Sequence, residues 1–415
     1  MPLTQQNLSQ SILSLLTRAG RMSIILPLLT GSLAYAGVVE RDQARRIHDR
    51  LTGVPPTNAV LDTMEGLIVG GDAEGAALEA MKNPAFYNVT LKNYVAPWTN
   101  EAQTMFVPLN DYTATVVGII RDDIDFRQVL FGDILYTGNA SGLPAYSNSN
   151  NNHYAALEAL GPVAGDLSNA SILQQGTQSS FNGLPSNATA GVITTRTAAE
   201  AFFQDGTNRA MFRFTLMNHL CTDLEPLKDV SRVPDRVRQD VSRSPGGDSR
   251  IFMFSCVGCH AGMDGLGGAY ARYSFNNNGN NQLNYTPTGV DPKYLINSDN
   301  FKPGYIATDE RWVNYWRNGQ NKLLGWSSTP SDPSISIDAR GHSNGNGAKS
   351  MGSELADSQA FASCQVKKAF QAVCLRNSDN YAADRTIVDS VTTDFMGIDN
   401  YNMKSVFAKV AAYCK

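Results

Sequence analysis

Apolar positions recur three and four residues apart along much of the chain, the spacing of one buried helical face. In ERDQARRIHDRLTG the set is Ala44, Ile47, His48 and Leu51, and Gly53 is placed to end the helix. Pro55-Pro56 then interrupts the pattern, and Thr57 is positioned to cap a second helix, NAVLDTMEGLIV. DAEGAALEAMKN predicts a third, stopped by Pro84, and DYTATVVGIIRDDIDFRQVLFGDILYTG predicts two more. The Asn-, Ser- and Gly-rich run GNASGLPAYSNSNNNHY reads as a loop, and irregular chain is expected from there to about Gly191. TTRTAAEAFFQ and TNRAMFRFTLMNHLC restore the helical period around a turn at Gly206. RIFMFSCVGCH predicts a helix capped by Asp248 or Ser249. Two helices are expected to close the chain, the last with Met403, Val406, Phe407, Val410 and Tyr413 on one face.

These elements predict a mainly α fold with long irregular loops. They divide into a helical N-terminal domain, residues 37–190, and a second helical domain, residues 191–415. Residues 1–36 read as a signal peptide: Arg18 and Arg21 precede the apolar run SIILPLLTGSLAYA, which ends in the cleavage pattern Ala34-Tyr35-Ala36. That run is too short to span a bilayer stably, and no later segment is apolar enough. A soluble mature protein in the periplasm or outside the cell is expected.

Composition agrees with export. Charged residues make up 17 % of the chain, below the usual quarter, and the formal charge is −4. No basic patch or stripe points to a nucleic acid.

The chemistry lies in FMFSCVGCHAGMDGLGG, where Cys256, Cys259 and His260 form C-x-x-C-H. This is the pattern of covalent c-type haem attachment. Thiols at i and i+3 share a helical edge, so each reaches one vinyl group of the same porphyrin. The adjacent imidazole then faces the iron. A structural zinc site needs four ligands, and no second C-x-x-C supplies the other two. A thioredoxin-type dithiol wants a strand before it, whereas RIFMFS follows a turn.

Cys221, Cys364, Cys374 and Cys414 remain, an even number in an exported chain. Cys364 and Cys374 fall in one predicted helix, ~15 Å apart along its axis, too far to bridge. That leaves Cys374–Cys414 with Cys221–Cys364, or the reverse assignment. The first is preferred because it closes a local helix–helix unit, and four buried free thiols are the alternative.

The stretch CVGCHAGMDGLGGAYARYSF resembles the C-x-x-C-H-x-x-M-D-x-x-G segment of planctomycete-type mono-haem cytochrome c families. AGVITTRTAAEAFF, RAMFRFTLMNHLC and FASCQVKKAFQAVC look like the segments that flank it there, and RLTGVPP is similar to the opening of related N-terminal domains. About half the chain is covered, with only the haem stretch specific. The resemblance implies one covalent haem c in an exported helical cytochrome, with a redox protein as partner and no named substrate.

The sixth iron position separates an electron carrier from a haem enzyme of peroxidase or oxygen-handling type. Met351, in the Gly-rich stretch ARGHSNGNGAKSMG before a closing helix, is the expected distal ligand, with His342 as the alternative. Met263 reads as a packing residue on the proximal side. His48 reads as a surface residue and His219 as a core residue satisfied by neighbours. Trp312 and Trp316 are expected to share a helical face, with Arg311 and Arg317 beside them.

Overall fold

Thr57 and Asp72 open two of the first helices by side-chain capping, accepting from the amides of Val60 and Gly75. In the computed structural model, which describes residues 26–204, 207–232, 249–275, 279–294 and 305–415, these helices are α2 (Asn58–Val69) and α3 (Ala73–Ala80). They follow α1 (Leu26–Thr52), which runs helically through the expected cleavage pattern and ends where Gly53 turns left-handed at φ +71°. The fold is mainly α, as the periodicity predicts.

The other principal helices are α4 (Asp111–Arg121), α5 (Asn152–Ala159), α6 (Arg196–Phe202), α7 (Arg209–His219), α8 (Val257–Gly267), α9 (Gly347–Ala356), α10 (Gln359–Cys374), α11 (Ala382–Met396) and α12 (Met403–Tyr413). Three helices, not two, follow α9. The expected turn at Gly206 and the cap at Asp248 lie outside the described residues.

Small antiparallel sheets interrupt the helices. β1 (Leu135–Gly138) pairs with β2 (Leu173–Gly176), and β3 (Tyr273–Phe275) pairs with β4 (Leu283–Tyr285). A third sheet has the order β5 (Arg311–Asn314), β7 (Ser343–Asn346), β6 (Ser336–Ile337). Trp312 therefore sits on a strand and Trp316 on a following 3₁₀ turn, which overturns their expected shared helical face. Cross-strand pairing with Gly345 replaces the helical period there.

One buried core runs from Ala44 to Cys414. The Phe407 ring of α12 meets Phe86 and Tyr94 edge-on, 5.3 and 5.4 Å between centroids. Lys404 donates to the carbonyl of Arg121, and Arg50 donates to that of Cys414. The boundary expected near residue 190 is also bridged: the Gly191 amide donates to the Gly132 carbonyl, and the Val129 carbonyl leaves no room for a side chain at Gly191. The C-terminal helices thus pack into the same buried core as the N-terminal ones.

Both preferred disulfides are present, Cys221–Cys364 and Cys374–Cys414. The first ties the end of α7 to α10; the second ties α10 to α12. His48 corrects the sequence expectation. It is buried on the α1 face beside Ile47, with Nδ1 2.9 Å from the Val54 carbonyl.

Candidate functional site

The motif is delivered by a helical run with a change of pitch. A short α turn at Ser249–Ile251 leads into a π-helical turn at Phe252–Cys256, and α8 begins at Val257. Among the described residues the chain enters the cysteines helically from Ser249, with no strand between 249 and 256.

Glycines fix how α8 sits. Gly258, Gly262 and Gly265 share one face at i, i+4 and i+7, and Gly268 follows at the helix end. The segment from β5 through the next turn runs antiparallel along this face. Arg311 closes on Gly268, Val313 and Tyr315 on Gly265, and Trp316 on Gly262, while Lys228 closes on Gly258. A Cβ at any of these glycines meets a neighbour at overlapping distance.

Cys256, Cys259, His260 and Met263 lie at i, i+3, i+4 and i+7 on the opposite face. Both thiols are half-buried and are the chain's two free cysteines. Cys259 Sγ lies 3.7 Å from the Leu224 carbonyl. Burial, reinforced by the negative charge of Glu225, pushes the Cys259 thiol pKa up. A redox dithiol needs the opposite shift. Beside the thiols, Ile251 is exposed and Phe254 is 85 % exposed, an apolar margin at the motif. Met263 is buried in the core, where a packing role places it.

The two nitrogens of His260 meet opposite charges. Nδ1 lies 3.1 and 3.0 Å from the two carboxylate oxygens of Asp264, and Nε2 lies 3.5 Å from Arg209 Nη1. A carboxylate accepts and a guanidinium donates. The ring therefore carries its proton on Nδ1 and its lone pair on Nε2. That tautomer presents Nε2 as a metal ligand.

The donor set suits a covalently held haem. Disulfides occupy four of the six cysteines and leave free only the pair at i and i+3. Among the described residues no group of three or more His, Cys, Asp or Glu side chains is placed to hold a metal ion. A haem iron brings four nitrogens of its own and asks the protein for one axial imidazole, which His260 offers.

The two residues expected on the far side of the iron are held by other elements. Met351 lies in helix α9 rather than in a loop, and it is wholly buried. α9 meets the Gly268–Tyr270 turn, at the end of α8, ~12 Å along the axis from His260. His342 stacks edge-on against Tyr315, 5.0 Å between centroids, and Tyr315 covers Gly265. His342 thus stands behind the glycine face. Its Nδ1 lies 3.4 Å from Asp338.

Three groups escaped the sequence reading. Asp264 stood in plain view four residues after His260, the spacing of a one-turn side-chain pair. Arg209 comes from a distant helix and had no local signal. Glu354 accepts from both Arg317 Nε and Nη2 at 2.9 Å, from Ser343 Oγ at 2.6 Å and from Asn314 Nδ2 at 2.8 Å. It anchors the Trp316 turn to α9, and therefore the wall on which α8 rests. No family model, curated protein or solved structure matches this chain.

Proposed function

We propose that the protein is an exported mono-haem c-type cytochrome that transfers single electrons to and from a redox partner protein. The observation that carries this reading is the free thiol pair beside an imidazole whose Nδ1 faces the Asp264 carboxylate, which leaves the lone pair on Nε2, the nitrogen Arg209 approaches. The likeness of the motif stretch to the planctomycete-type cytochromes supports it. Cys256 and Cys259 would hold the porphyrin as thioethers, and His260 would supply the imidazole for its iron. A bound haem supplies the one-electron iron couple, which axial ligation and burial tune. The glycine face locks α8 against β5 and the Trp316 turn, so the ligand-bearing edge is held rigidly.

Periplasmic or extracellular residence is part of the same reading. It is supported by the leader-like residues 1–36 and by two disulfides that persist in oxidising compartments. Among the described residues no helix is long and apolar enough to cross a membrane.

One observation favours a second reading, a haem enzyme with an open or displaceable sixth position. Met351 is buried within α9, and His342 packs on Tyr315 behind the glycine face. An absorption spectrum of the matured protein decides. Sharp reduced α- and β-bands of low-spin haem c are expected for the carrier. High-spin features transfer the assignment to the enzyme, and a colourless protein contradicts both.

A further inference from the structure

We infer that Asp264 is the positioning residue of His260: its carboxylate accepts the Nδ1–H, fixes the ring's tautomer and plane, and lowers the reduction potential of the iron that Nε2 ligates. The inference rests on the haem reading above.

The pair is built into one turn of α8, at i and i+4. The Asp264 side chain is fully buried and that of His260 is 12 % exposed. Both carboxylate oxygens lie within hydrogen-bonding distance of the same nitrogen, so rotation of the carboxylate does not break the contact. The ring is held from its far edge while Nε2 points away from Asp264.

The consequence is electronic as well as steric. An anionic acceptor makes the imidazole a stronger donor than a backbone carbonyl does. A negative charge held close in a low-dielectric site favours the ferric state, which carries one more positive charge than the ferrous state. Arg209 Nη1 lies 3.5 Å from Nε2, on the lone pair an iron would take, so its contact would give way on ligation while the Asp264 contact at Nδ1 would stay.

Asp264→Asn keeps the shape and one accepting oxygen but removes the charge. Spectroelectrochemistry of the haem-loaded variant is expected to show a shift of at least tenfold in the ferric/ferrous equilibrium towards ferrous, ~59 mV upwards for a one-electron couple. The iron–imidazole stretch, read by resonance Raman after photolysis of the carbon monoxide adduct, is expected to fall in the same variant. A buried aspartate that only supports folding moves neither. Covalent haem with both readings unchanged overturns this inference and leaves the cytochrome reading standing. Absence of covalent haem from the wild type overturns both. Should the variant fail to mature, the wild-type stretch decides: a frequency on the imidazolate side of neutral-imidazole reference haems supports the inference, and the neutral frequency overturns it.

Discussion

The indole Nε1 of Trp316 fills the space that a side chain at Gly262 would need. A Cβ at position 262 overlaps Nε1 and the adjoining ring carbons. Trp316 is buried, and its Nε1 has no hydrogen-bond partner among the described residues. Close packing, rather than a polar contact, keeps the ring against α8.

Gly262→Ala is therefore expected to destabilise the protein. The helix gains ~1 kcal/mol of propensity from alanine. Forcing the indole aside costs ~1–3 kcal/mol, and the backbone of the Trp316 turn has little freedom to move. A net loss of up to ~2 kcal/mol in chemical denaturation checks this, and a gain in stability contradicts it.

Glu354 tests the wall behind that contact. Its side chain is 1 % exposed and that of Arg317 is 8 % exposed. Removing one partner leaves a buried charge uncompensated, which costs ~3–5 kcal/mol. Glu354→Ala should lower the unfolding midpoint far more than Lys82→Ala, whose partner Glu79 lies in an exposed ion pair. Equal effects in thermal unfolding would show that Glu354 is no anchor.

The disulfides differ in reach. Cys221–Cys364 spans 143 residues and Cys374–Cys414 spans 40. In the chain-entropy picture, removing them costs ~5 and ~4 kcal/mol respectively. Paired Cys→Ser variants, compared by denaturation, should both be weakened, with Cys221–Cys364 the costlier loss. An indifferent protein would contradict the structural role assigned to both.

Acid should weaken the fold through His219. Burial, and next the positive charge of Lys368, hold its pKa well below the ordinary 6.5. The unfolded chain takes up this proton near pH 6.5 and the folded chain does not. Stability is therefore complete above about pH 6.5 and falls as pH drops below it, by up to ~1.4 kcal/mol per unit. His48, also lowered chiefly by burial, adds to the slope. Denaturation between pH 7 and 5 should show this slope, shallower in His219→Gln. An identical slope in the variant removes His219 as its source.

The helices, the cap at Thr57, and the disulfide pairing were legible because spacing and reach are local properties of the chain. The strands were not. They are two to four residues long and carry no alternation that a period-two reading could catch. Glycine misled at one place and went unread at another. In GNGAKSMGSELA it reads as loop flexibility, yet Gly352 lies in α9 because the Leu130 carbonyl leaves no room for a side chain there. That helical face, with Ala348, Met351 and Leu355, is buried. In GCHAGMDGLGG the glycines form a packing face whose partner, the Trp316 turn, lies some fifty residues downstream. His48 was misjudged from its arginine neighbours, because only the packing of α1 shows which face turns inwards.

The central claim is tested most directly by the mass of the proteolytic peptide that contains Cys256-Val257-Gly258-Cys259-His260, taken from protein matured with a c-type assembly system. The account predicts that this peptide carries one haem, retained through acid–acetone extraction and lost as a covalent adduct in the Cys256→Ala, Cys259→Ala double variant. An unmodified peptide, or a Cys256–Cys259 disulfide in its place, would contradict it.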